Sequence, residues 1–204
     1  MAACGRLLLW DVRGSVWNLD DRAQIYIYDD AQDFIDSGEA AHWASGMAMA
    51  RSKVIRSFPT AHGFFDSTLP HELGHIIFRE FIGQDVRIPL WFEEGVAMYQ
   101  EKAKRWGARE EVVRSIADGS FMPLRELSGF YPTQRTERKK VDLFYAEAAS
   151  IMYYLIQEQG NSRFVRLCRK LKDDVLFEEA LTSVYTRFRT IDALNKAWLS
   201  YLHP

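Results

Sequence analysis

His71-Glu72-Leu73-Gly74-His75, followed after eighteen intervening residues by Glu94 within Trp91-Phe92-Glu93-Glu94-Gly95, is the stretch that decides how this chain folds. On a helix, residues four apart share a face, so His71 and His75 can direct two imidazoles at one metal ion. Glu72 stands about 100° further round the helix axis. It is poorly placed as a third ligand from that face and well placed beside the ion's open position. A catalytic zinc site takes three protein ligands and leaves one position for water. Glu94 supplies the missing carboxylate, so the set reads as His71, His75 and Glu94 for the metal, with Glu72 as general base. Taken alone, the five-residue motif also fits an amphipathic helix with two histidines near its polar end. The second segment separates the two readings. Pro89 to Tyr99 reads as a helix opened by a proline, and a carboxylate buried there is costly unless it is paired or bound to a metal. Glu93 competes with Glu94, and since the two differ by about 100° only one of them faces the ion.

Working outward, Asp66-Ser67-Thr68 supplies capping residues for the histidine helix, with Pro70 tolerated in its first turn. Ile76, Ile77, Phe78, Phe81 and Ile82 make its later turns apolar, and a turn near Gly83 returns the chain. Upstream, Ala23 to Tyr28 alternates and reads as a strand. Asp29-Asp30 caps a short helix from Ala31 to Ile35 that stops near Gly38. Segments 46–50 and 52–58 read as two further strands, and the small residues at 45–50 permit close approach of another backbone. Residues 6–22 form an entry helix or an irregular segment. Downstream, Lys102, Lys104 and Arg105 suit a helix C-terminus. A helix from Glu110 to Ala117 follows, then a loop through Pro132, then helices at about 142–159, 161–172, 176–185 and 190–202, with Gly160 between the first two. The expected fold is α+β: a small N-terminal β-sheet (about 1–66) packed on the active-site helices (67–101), followed by a helical lobe (102–204), all one domain.

Composition bounds the function. The chain has 204 residues, 48% of them hydrophobic and 14% aromatic, enough for a core and too many for disorder. A formal net charge of −2 gives no strong field to attract nucleic acid or an anionic membrane. The basic run Arg135-Thr136-Glu137-Arg138-Lys139-Lys140 is local, interrupted by an acid, and reads as a solvated loop. Cys4 and Cys168 lack metal-site spacing, and Cys168 reads as a small core hydrophobe. Leu7-Leu8-Leu9-Trp10 is too short for a signal-peptide core or a membrane span. That leaves the compartment open, including an exported or anchored full-length form.

HELGH followed by WFEEG resembles the gluzincin metallopeptidases, which include the thermolysin and aminopeptidase-N groups and the smaller bacterial peptidase MA-like proteins. The likeness to the last group extends through Phe121-Met122-Pro123-Leu124-Arg125-Glu126-Leu127, a linker, Tyr145 to Gly160, a helix, and Ala197 to Leu202, a closing helix. It covers roughly residues 24 to 202. The resemblance implies a thermolysin-like catalytic fold, one zinc ion, hydrolysis of a peptide or protein substrate with Glu72 activating water, and Glu94, the Glu before Gly, as ligand. It also implies a downstream tyrosine that stabilises the oxyanion. Tyr145 is the candidate, ahead of Tyr153 and Tyr154, although in a chain with nine tyrosines most serve packing.

Two departures stand out. Met98 lies one turn beyond Glu94, where a thermolysin-like enzyme carries an acidic partner for a ligand. Glu101, seven residues beyond Glu94, can serve as an acceptor for a ligand histidine, but its simpler reading is a solvent-exposed charge. Segment 46–50 lies where aminopeptidases of this group carry a glutamate for the substrate's amino terminus. It holds no acid here, which argues for an endopeptidase. Its backbone can still pair with an extended substrate, or it is an ordinary strand. The rival reading is an inactive or highly selective peptidase-fold module that binds extended peptides or a partner protein. A structural zinc site fits less well, because such sites prefer four ligands rich in cysteine. His62 reads as a loop residue, and His42 and His203 carry no signal.

Overall fold

The computed structural model describes residues 22–37, 44–59, 63–101 and 107–202. Three short β-rich segments pair into one sheet: β1 (Gln24–Ile27), β2 (Gly46–Met49) and β3 (Val54–Ser57), in the order β1-β3-β2. The β1–β3 pair is parallel, with Gln24 opposite Val54, and its crossover carries helix α1 (Ala31–Asp36). Asp30 caps α1 by accepting the backbone N–H groups of Gln32 and Asp33. β2 runs antiparallel to β3, with Gly46 opposite Ser57. The turn between them places Lys53 in the left-handed region, at φ 54°. β3 is central and largely buried, whereas every residue of β1 is exposed, Ile25 and Tyr26 included. The alternation of 23–28 therefore marks a strand without marking a buried face.

The capping expected at Asp66-Ser67-Thr68 does not occur. A π-helical turn (Phe64–Thr68) runs directly into α2 (Leu69–Ile82), with no side-chain cap. The hydroxyls are used elsewhere: Ser67 donates to Glu101, and Thr68 Oγ1 donates to Ser45 Oγ at 3.2 Å. Pro70 sits in the first turn, where its missing N–H costs no hydrogen bond. Gly83, at φ 112°, ends α2, and Pro89, in extended conformation, immediately precedes α3 (Leu90–Tyr99).

Helix α4 (Ala108–Asp118) is followed by a short helix, α5 (Leu124–Gly129), inside the segment expected to be loop. It is held by tertiary contacts: Asn195 Oδ1 accepts the Leu124 N–H at 2.8 Å, and Trp91 Nε1 donates to Ser128 Oγ at 3.0 Å. Helix α6 (Arg138–Tyr153) begins one turn earlier than expected, because Arg138, Lys139 and Lys140 belong to it rather than to a loop. The Arg138–Asp142 ion pair, at 2.8 Å, spans that first turn. A π-helical turn (Tyr154–Glu158) ends it, and α7 (Asn161–Lys172), α8 (Phe177–Val184) and α9 (Ile191–Leu202) complete the lobe.

The core lies among the helices. Trp91, Phe92, Phe144, Ile151, Leu155 and Trp198 are fully buried or nearly so, each worth about 1.5–3 kcal/mol by apolar burial. Cys168 is a buried free thiol within this core. α3 and α6 approach so closely that a Cβ on Gly95 would lie 2.7 Å from the Ala148 carbonyl oxygen, so only glycine fits next to Glu94. No helix among the described residues is long and apolar enough to cross a membrane. Residues 6–21, Cys4, His42, His62, Lys102, Lys104, Arg105 and His203 lie outside the described residues.

Candidate metal centre

Helices α2 and α3 bring His71, His75 and Glu94 together. The two Nε2 atoms lie 3.1 Å apart. Glu94 Oε2 stands 3.4 Å from that of His71 and 3.6 Å from that of His75. With bonds of about 2.0–2.1 Å, two ligand atoms on a tetrahedral zinc stand about 3.3–3.4 Å apart. The three observed edges bracket that spacing, and the donors are of the types zinc takes, so the residues fit the ion. Glu93 does not share the cluster. Its carboxylate turns to Arg79 and to the far edge of the His75 ring, so Glu94 alone of the two faces both Nε2 atoms.

The electrostatics call for positive charge at this point. Burial would raise the Glu94 carboxyl, but the charge of His75 and contacts with both histidines hold it well below the usual range. Burial would lower His75, but the charge of Glu94 and contacts with Glu93 and Glu94 push it up to about 10. His71 is raised too, because Glu101 and Glu94 outweigh its burial. A site in which buried histidines hold protons against burial is one where a dication can supply the charge instead.

Glu101 is not an exposed charge. The helix ends at Tyr99, and a turn bond from the Glu101 N–H to the Met98 carbonyl, 3.0 Å, folds the residue inward. It is 1% exposed. One carboxylate oxygen lies 2.9 Å from His71 Nδ1, and the other accepts the Ser67 hydroxyl. A carboxylate there favours a proton on Nδ1 and leaves the Nε2 lone pair directed at the cluster.

Glu72 is buried and lines a cavity of about 500 Å³ together with His71 and Tyr145. Burial pushes its carboxyl up, against the lowering charges of His71 and His75. Ala44, Ser45 and Gly46, the first residue of β2, form one wall. A Cβ on Gly46 would stand 2.7 Å from Thr68 Cγ2 and 2.9 Å from Glu72 Oε1, so the bare backbone makes room for the acid. Tyr145 lies two turns inside α6, half-buried, its ring packed on Phe144. Tyr153 and Tyr154 do not line this cavity.

Two histidine nitrogens and a carboxylate oxygen on adjoining helices, with a buried acid beside them and a small sheet along one wall, define an α+β fold built around a three-donor cluster suited to a metal ion. The sequence model of the peptidase MA superfamily matches residues 12–204, and the chain belongs to that superfamily. Neither the curated proteins nor the solved structures gave a match.

Ser67 as a partner of Glu101, and Arg79 as a partner of Glu93, emerge only from the structure. Ser67 carried no signal beyond its capping propensity. Arg79 did carry one: it follows His75 by four residues and so shares its helix face.

Proposed function

We propose that the chain is a zinc-dependent peptidase, a single catalytic domain that cuts within extended peptides. His71, His75 and Glu94 would hold one ion. The observation that carries this reading is the triangle of donor atoms, with edges of 3.1, 3.4 and 3.6 Å, beside the cavity lined by Glu72. Zinc bound there would lower the pKa of water toward neutrality and polarise the scissile carbonyl. Glu72 takes the proton of the attacking water and later delivers it to the leaving amine. Its raised pKa suits a group that must both accept and return a proton. Glu101, backed by Ser67, orients His71. Tyr145 supplies the hydroxyl for the developing oxyanion from the α6 side of the cavity.

β2 is an edge of the described sheet and begins at the cavity with Gly46, so an extended substrate could add to it as a further strand. Residues 44–50 carry no acid to hold a substrate's free amino terminus, which supports internal cleavage.

The test is incubation of the zinc-loaded protein with a diverse peptide library, products read by mass spectrometry, beside Glu72→Gln. The wild type should cleave, while the variant keeps zinc and loses about 10²–10⁴-fold in rate. Equal activity in the variant would remove Glu72 from the reaction. Bound zinc with no cleavage by the wild type would favour the rival, a module that binds peptides or a partner protein.

A further inference from the structure

We infer that Arg79 and Glu93 are positioning residues of the metal centre, fixing the ring of His75 and the spacing of the two helices that carry the three donors. This rests on the zinc reading above. Arg79 lies on α2 one turn after His75. Its Nε donates to Glu93 Oε1 at 2.8 Å, its Nη2 donates to Glu93 Oε2, and its Nη1 donates to the Val86 carbonyl at 2.7 Å. One guanidinium therefore ties α2, α3 and the loop between them. The two-pronged geometry fixes orientation as well as distance. Both side chains are mostly buried, 16% and 17% exposed, so salt screens the pair less than a surface one.

Glu93 Oε1 stands 3.7 Å from His75 Nδ1, on the opposite edge of the ring from the Nε2 that faces Glu94. That is beyond hydrogen-bond reach, so the carboxylate acts through its charge and by limiting ring rotation. Both effects favour a proton on Nδ1 and a free lone pair on Nε2. His71 has the tighter version of the same arrangement, with Glu101 at 2.9 Å from its Nδ1. The two histidines are thus each backed by a carboxylate, but His75's is shared with an arginine.

The experiment is zinc affinity by competition with a chromophoric chelator, together with the visible spectrum of the cobalt-substituted full chain. Melting of the metal-free proteins is followed in parallel. Glu93→Gln should lose about 10–100-fold in zinc affinity and shift the cobalt bands. Arg125→Met, which breaks the exposed pair with Asp192, should change neither. The double variant Arg79→Met/Glu93→Met removes both charges and keeps apolar volume. It should recover metal-free stability while its zinc affinity stays low. Recovery of affinity along with stability would show an ordinary helix-to-helix tie and overturn the inference, as would unchanged affinity in Glu93→Gln. A wild type that binds no zinc would overturn the zinc reading as well, which separates the two failures.

Discussion

Replacing Glu147 by Gln should remove a pH dependence built into the core. Glu147 lies on α6 and is 0% exposed. Its Oε1 accepts the Met122 N–H at 2.9 Å, and its Oε2 meets no hydrogen-bond partner among the described residues. Burial pushes the carboxyl up to about 8, opposed by the Met122 bond and reinforced by the charge of Glu126. An unfolded chain ionises the same group near 4.5. The folded-state pKa is the raised one, so the contribution to stability is complete below pH 4.5. It then falls as the unfolded state sheds its proton and the folded state keeps it. The loss runs at about 1.4 kcal/mol per pH unit and levels off near pH 8, with a ceiling of about 5 kcal/mol. Glutamine keeps the acceptor for Met122 and cannot ionise. Its extra unpaired N–H₂ costs about 1–3 kcal/mol at every pH. Urea unfolding of both proteins at several pH values between 4.5 and 8.5 measures the difference directly. The variant should be the less stable protein at pH 4.5 and the more stable one at pH 8.5. A difference that stays flat across this range would refute the assignment of a buried, neutral Glu147.

Three further outcomes follow from the geometry. Glu101→Gln should weaken zinc binding by about 10–100-fold by loosening His71, measured by chelator competition; an unchanged affinity would mean that the 2.9 Å contact does not act on the metal. Stripping zinc with a chelator should lower the melting temperature, and free zinc at a thousand times its dissociation constant should return about 4 kcal/mol; identical melts with and without zinc would argue against a site formed by the folded chain. Gly95→Ala should destabilise by about 1–3 kcal/mol through overpacking, because its methyl would meet the Ala148 carbonyl; a neutral result in denaturant unfolding would show that α3 and α6 can separate at that point.

The sequence disclosed the parts of this protein that local spacing controls. The i, i+4 histidines, the proline before α3 and Gly160 before α7 each act within a turn or two of chain, and α7 runs over the same residues, 161–172, that the pattern marked. The small α+β sheet was legible as three β-rich runs. Its burial was not, because which strand is central depends on pairing, and β1 turned out to be an exposed edge. α5 escaped notice for a related reason. Six residues offer too little periodicity, and the helix exists because Asn195 and Trp91, distant in sequence, hold its two ends.

The same division runs through the candidate site. The cluster of His71, His75 and Glu94 is written in spacing, whereas the groups that back it are written only in tertiary contact. A glutamate just past a helix end is an exposed charge by default. Glu101 is buried because His71 and Ser67, some thirty residues earlier, occupy both of its oxygens. Met98 stands where an acid would have been looked for, and the acid arrives from the turn beyond instead. Fixed spacing can thus specify which atoms meet an ion, while the carboxylates that set their tautomers can come from any element that passes close enough. In this chain the acid beside His71 sits just past the end of α3, and the arginine that grips Glu93 sits one turn after His75, both close in sequence to the cluster they adjoin.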